Sequence, residues 1–385
     1  MPRDPRLDRL ADVLVTYSTG VKPGDVVGVA FEPAGWPLAT AVIDACVRAG
    51  GDPFPVIRRS AVAESLLTHG TDEQLARANA MMLSYVETID VNIVLLADEN
   101  TRSLSRFDPA RVARFQQGAR PTMQRSMERA AAGKLRWCGT QMPTQAAAQD
   151  AEMSLAQYEE FVFGAGLLDH ADPVAAWRAV HERQERVRER LQGRSTLRFR
   201  APACDGHDGT DLVVDVAGST WINCSGRQNF PDGEVFAGPR GADGHVNYTF
   251  PAVYNGREAA GVRLAFKEGR VVDATATRNE EFLIRLLDQD SGARTLGEIA
   301  IGTNYGITEF SRNTLFDEKI GGTFHAAVGA GYPESGNSNQ SGLHWDMVCD
   351  LRPRKAQDGN AVAGGTIECD GELIQRDGKF LIPGW

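Results

Sequence analysis

The sequence has no CxxC pair, and its six cysteines (Cys46, Cys138, Cys204, Cys224, Cys349 and Cys369) are scattered along 385 residues. That spacing excludes a disulfide framework and a cysteine-based zinc module, and it predicts reduced thiols in a cytoplasmic protein. No apolar run approaches the roughly 20 residues a membrane helix requires. The opening MPRDPRLDRLADVLVTY is charged and lacks a secretory apolar core. Positive charge is not in excess. The net charge of −10 argues against nucleic acid and against anionic membrane surfaces as partners. No GxGxxG follows the first strand-like run, so no dinucleotide site is inferred. There are no internal repeats and no low-complexity tract.

What is present is an ordinary globular composition, 42% hydrophobic and 24% charged, in a chain long enough for two domains. Leu7, Leu10, Ala11, Leu14 and Val15 give helical periodicity over residues 7 to 20. VVGVAF, PFPVI and VNIVLLAD read as strands, with the helical WPLATAVIDACVRAGG between the first two. Alternating strands and helices predict an α/β domain with a largely parallel sheet. From about 121 the chain becomes helical and charged. DPVAAWRAVHERQERVRERLQG, residues 172 to 193, predicts a long amphipathic helix connecting two domains, 1–195 and 196–385. The second half has strand-like runs with tight turns: DLVVDVAGSTWINCSG, the hairpin GVRLAFKEGRVVDATAT, and GTIECDGELIQRDGKFLIPGW. With NEEFLIRLLDQD as a helix, it predicts an α+β domain rich in antiparallel strands.

Residues suited to metal chemistry concentrate in that half. In SGLHWDMVCD, an extended strand puts His344, Asp346, Val348 and Asp350 on one face. Trp345, Met347 and Cys349 take the other, and Cys349 reads as packing. Imidazole and carboxylate together suit Zn, Mn, Co or non-haem Fe, although an edge strand with a solvated face has the same pattern. Glu234 follows a Pro-Asp-Gly turn and could be an exposed carboxylate. Glu298 lies in the apolar LGEIAIG, where a buried carboxylate needs a cation, a proton or an arginine such as Arg294. His325 could be a hydrogen-bonded core histidine, and Tyr332, seven residues on, a packed ring. Together these residues could hold one or two divalent ions, with carboxylates able to bridge.

Four stretches in series, PDGEVFAGP, ARTLGEIAIGTN, LFDEKIGGTFHAAVGAGYPE and SGLHWDMVCD, resemble the thermophilic metallo-aminopeptidase family of the aminopeptidase T and aminopeptidase S type. Further similarity in LADVLVTYSTGVKPGDVVGV, MSLAQYEEFVFGAGLLD and GTDLVVDVAG extends the resemblance over nearly the whole chain. It implies a dimeric enzyme that releases N-terminal residues from peptides or amino-acid amides, using two divalent ions (Zn, Co, Mn or Mg). The implied metal ligands are Glu234, Glu298, His325, Tyr332, His344 and Asp346, with Glu298 and Tyr332 as the catalytic candidates. The insertion CDGHD, carrying His207, departs from the family wording at a loop. Two rivals remain open. His325, His344 and Asp346 alone would suit a ring-cleaving Fe(II) dioxygenase, and the same fold could serve a non-catalytic binding protein.

Overall fold

The computed structural model describes residues 3–385. The chain divides into two compact units, Met1–Ala176 with Gly226–Pro231, and Trp177–Ser225 with Asp232–Trp385. Residues that share a contact-rich neighbourhood thus divide inside the helix Pro173–Leu191. Most of that predicted connecting helix goes with the second unit.

The first unit is built on a five-stranded parallel sheet. Its order is Asp52–Ile57, Val26–Phe31, Val91–Leu96, Arg136–Gln141 and Asn229–Phe230. Val27, Val29 and Phe31, with Val91, Ile93 and Leu95, are buried, as their unbroken apolar runs require. Asp52–Ile57 is different: it is the edge strand, and four of its six residues are exposed. Pro53 and Pro55 suit that place, because a proline cannot donate to a second neighbour. The first helix, Pro5–Asp12, begins with a proline and is capped by Asp4, whose side chain accepts from Arg6 N. It continues as a wider π-type turn over Val13–Ser18, covering the periodic stretch. The strand Arg136–Gln141 was not predicted from the sequence. Its residues RWCGTQ are mixed in polarity, and only pairing with Val91–Leu96 identifies it.

The second unit carries two antiparallel sheets. One has eight strands, in the order Arg270–Thr275, Arg263–Lys267, Gly241–Asn247, Thr210–Asp215, Thr196–Ala201, Thr366–Cys369, Glu372–Arg376 and Lys379–Phe380. The predicted hairpin is there, Arg263–Lys267 pairing with Arg270–Thr275. Glu268 (φ 49°) and Gly269 (φ 78°) supply the two positive φ values that a tight two-residue turn demands. The other sheet has five strands: His344–Asp350, Thr323–Gly329, Leu296–Gly302, Glu234–Ala237 and Ile222–Cys224. Apolar side chains of both sheets and of the helix Glu280–Leu287 make one core. Phe199 and Phe324 stack within it at 4.3 Å between ring centroids, a pair worth about 1 kcal/mol beyond area burial. None of the six cysteines forms a disulfide, and among the described residues no helix is long and apolar enough to cross a membrane.

Candidate metal centre

The five-stranded sheet has one greasy face and one charged face. Val235, Ala237, Ile299, Ile301, Phe324, Ala326, Val328, Trp345, Met347 and Cys349 belong to the core. Alternation sends their neighbours the other way. Trp345 anchors its strand on the core side, its ring donating to Val253 O at 3.0 Å. Asp346 and His344 therefore face the opposite side, as the alternation in HWDMVC predicts.

Register then lines up the rest. Ala327 is directly opposite both Glu298 and Asp346, and His325 lies two residues along the same strand. Glu234, at the start of its strand, is opposite Gly302. Four adjacent strands thus contribute one or two polar side chains each to a single face. Between them stand Ala300, Ala327, Gly302 and Gly329, residues too small to fill it.

The side chains converge. His325 Nε2 is 3.0 Å from Glu298 Oε1, 3.5 Å from Glu234 Oε2 and 3.8 Å from Asp346 Oδ1. His344 Nε2 lies 3.4 Å from Asp346 Oδ1 and 3.8 Å from Glu298 Oε2. Ligand atoms of Glu234, Glu298 and His325 all fall within 4.8 Å of one another, and so do those of Glu318, His325 and Asp346. Tyr332 packs its ring 5.2 Å from that of His344 and 5.6 Å from that of Phe236. His344 is the outermost member, with 27% of its side chain exposed; His325 is wholly buried.

Both histidines are oriented from behind. His325 Nδ1 donates to Glu318 O at 2.9 Å and His344 Nδ1 to Ala330 O at 2.8 Å, since a carbonyl can only accept. Each Nε2 is thereby aimed at the carboxylates, the arrangement by which backbone partners orient metal-binding imidazoles. Glu298 takes His325 as its partner. Arg294 is committed to Asp288 at 2.7 Å and is not the counter-charge that the sequence left open. Glu234 is buried rather than exposed at its turn.

The electrostatics are those of a site where carboxylates crowd together around a single lysine and two histidines. Burial pushes the Glu234 carboxyl up to about 8, against the pull of Lys319. Burial likewise raises Glu318 to about 7. Burial disfavours the charged form of His325, but its hydrogen bond to Glu298 and the charges of Glu234 and Asp346 outweigh that and raise it to about 10. His344 reaches about 10 for the same reason, with Asp346 the main opposing influence to its burial. Asp346 is largely withdrawn from water, yet His344 and His325 hold it below the usual carboxylate range. Glu234 Oε2 and Asp346 Oδ1 are buried without a hydrogen bond. Both oxygens are faced by histidine Nε2 atoms at 3.4–3.8 Å, and carboxylates at this density call for cations. The mix of imidazole and carboxylate suits divalent ones. The residues present fit a metal.

Two residues of the cluster escaped the sequence reading. Glu318 and Lys319 form the dipeptide immediately before Ile320 and the Gly pair, and Lys319 is completely buried beside Glu234 and Glu318. The available signal was a run of charge, Asp-Glu-Lys, inside an otherwise apolar stretch. His207 stands apart from the cluster, in a loop where its Nε2 meets Cys204 Sγ at 3.3 Å.

Comparison with known proteins identifies the family. The model of the thermophilic metalloprotease family (M29) matches residues 3–380. The chain belongs to the M29 family. Aminopeptidase 2 of Geobacillus stearothermophilus is 29% identical to this M29 chain over 356 residues, 85% of the chain and 84% of the relative. Among solved structures, wild-type AmpT from Thermus thermophilus superposes with a TM-score of 0.81 at 23% identity, covering 98% of this chain and 99% of that one. A 2,5-dihydroxypyridine dioxygenase from Pseudomonas putida shares the fold more loosely, with a TM-score of 0.55 at 13% identity over 98% and 97% of the two chains. An M29 metallopeptidase thus has the α/β and antiparallel halves that its sequence predicted.

Proposed function

We propose that this M29 metallopeptidase is an aminopeptidase that hydrolyses the first peptide bond of peptides or amino-acid amides. The observation that carries the reading is the convergence of Glu234, Glu298, His325, His344 and Asp346 on one sheet face, with two carboxylate oxygens faced only by histidine nitrogens at 3.4–3.8 Å. Two divalent ions, drawn from Zn, Co, Mn or Mg, would be held by these five residues, with Tyr332 and Glu318 at their margin. Such ions supply a water of lowered pKa and a polarised scissile carbonyl.

The chain's own groups account for the rest. Glu298 reaches both histidines and occupies the centre of the cluster, which supports it as the residue that takes the proton of the attacking water. In the metal-free site, burial and then the Glu298 and Asp346 charges raise the Tyr332 phenol above its ordinary value, so it holds its proton there. It can therefore donate to the oxyanion that forms as the carbonyl is attacked. The acidic face also suits the cationic α-amine of a peptide N-terminus. We assign the enzyme to the cytoplasm, on its reduced cysteines, and expect a homodimer from its family resemblance.

The dioxygenase alternative would use only His325, His344 and Asp346. It leaves the buried Glu234 and Glu298 without employment, and the non-catalytic alternative leaves the whole cluster so. The test is release of p-nitroaniline from leucine, alanine and lysine p-nitroanilides by chelator-stripped protein after adding Zn, Co, Mn or Mg. Metal-restored release that disappears when the substrate's α-amine is acetylated supports an aminopeptidase. Absence of release with every metal, with Fe(II)-dependent oxygen uptake on dihydroxylated rings, would replace it with the oxygenase.

A further inference from the structure

One cation of the cluster is part of the chain. Lys319 has no exposed surface, and its ammonium hydrogen-bonds Glu318 Oε1 and lies 3.7 Å from Glu234 Oε1. The carboxyl group of Glu234 is thereby divided. Oε1 faces the lysine, while Oε2 has no hydrogen bond and faces His325 Nε2 at 3.5 Å. The same dipeptide reaches the cluster a second way, since the Glu318 carbonyl orients His325 through Nδ1. A buried lysine is tolerated only among opposite charges, and here Asp232 adds to Glu234 and Glu318.

Carboxylates bind divalent ions through one oxygen or through both. Two-oxygen binding raises the coordination number, which suits Mn better than four-coordinate Zn. We propose that Lys319 is a positioning residue whose charge, ion-paired with one oxygen of Glu234 at 3.7 Å, favours that carboxylate as a one-oxygen ligand and biases the centre toward low-coordinate ions. Lys319 serves here as a compact fixed charge of the kind an ammonium provides, without contact with substrate. This inference rests on the cluster being the metal centre, and its test separates the two claims.

Chelator-stripped parent protein and the Lys319→Met variant are titrated with Co(II), Zn and Mn, and the visible d–d bands of the Co(II) forms are recorded. The double variant Glu318→Gln/Lys319→Met removes one charge of each sign together, and it serves if the single variant does not fold. The expected result is weaker d–d absorption in the variant, as coordination number rises, and a fall on the order of tenfold in its preference for Zn over Mn. A structural role for Lys319 would lower thermal stability but leave the bands unchanged. Binding by parent and variant with the same bands and the same Zn-to-Mn ratio overturns the role of Lys319 and leaves the metal centre standing. No Co(II) binding by the parent overturns both.

Discussion

Leu296 and Glu298 are two residues apart on one strand, yet they face opposite sides of the sheet. Leu296 is opposite Val328 and enters the core, whereas Glu298 is opposite Ala327 and joins the charged cluster. The register slips between them, at Gly297, which is a bulge. An unbroken strand would have turned the Glu298 carboxylate into the core. A Cβ at position 297 would stand 2.4 Å from Ala330 O and 2.7 Å from Gly329 O, so only glycine fits this bulge.

Gly297→Ala should therefore act on the centre through the backbone. We expect a loss on the order of 1–3 kcal/mol in stability, since the obstacle is backbone that cannot swing aside. Metal content after dialysis should fall in parallel. Normal metal content in a well-folded variant would show that the bulge does not place Glu298.

His344→Ala removes the most exposed member of the cluster. Its side chain fills no part of the core, so the stripped variant should still fold, but it should melt somewhat below the stripped parent at neutral pH because Asp346 loses its main counter-charge. Metal affinity and p-nitroanilide turnover should each fall by more than about a hundredfold, beyond the loss usual for a supporting residue. Full activity would remove His344 from the site.

Tyr332→Phe keeps the ring that packs on His344 and Phe236 and removes the phenol. We predict a fall in kcat of about a hundredfold with KM and metal content little changed, the pattern for a donor used only in the transition state. A matched loss of metal would make the phenol a ligand instead.

Protons and metal compete for this face. Without metal, His325 and His344 are raised to about 10 and Glu234 to about 8, so at pH 7 all three carry protons. Metal uptake should expel about two to three protons, measurable by calorimetry in buffers of differing ionisation enthalpy. The histidines' folded values lie above their ordinary 6.5. Their contribution to stability is complete below about 6.5 and fades as pH rises toward 10. Stripped protein should thus lose melting temperature over that window, and saturating metal should reverse the loss. Uptake without proton release would contradict the protonated cluster.

Much of this architecture could be read from local pattern. The alternation in HWDMVC set Asp346 and Trp345 on opposite faces, and VVGVAF and VNIVLLAD announced a buried parallel sheet. Turns such as Glu268–Gly269 are written in two residues. What stayed hidden depends on partners distant in sequence. The strand Arg136–Gln141 has no period of its own, and Asn229–Phe230 joins the parallel sheet from far along the chain. The bulge at Gly297 is a mismatch between two strands and cannot be seen in either. Glu318 and Lys319 carry no sequence signal of a site until the fold brings Glu234 against them.

Anomalous diffraction from crystals of the parent protein grown with Zn would test the central claim most directly. The account predicts zinc density on the sheet face among Glu234, Glu298, His325, His344 and Asp346, with His325 and His344 each ligating through Nε2. Zinc bound elsewhere, with this face holding none, would contradict it.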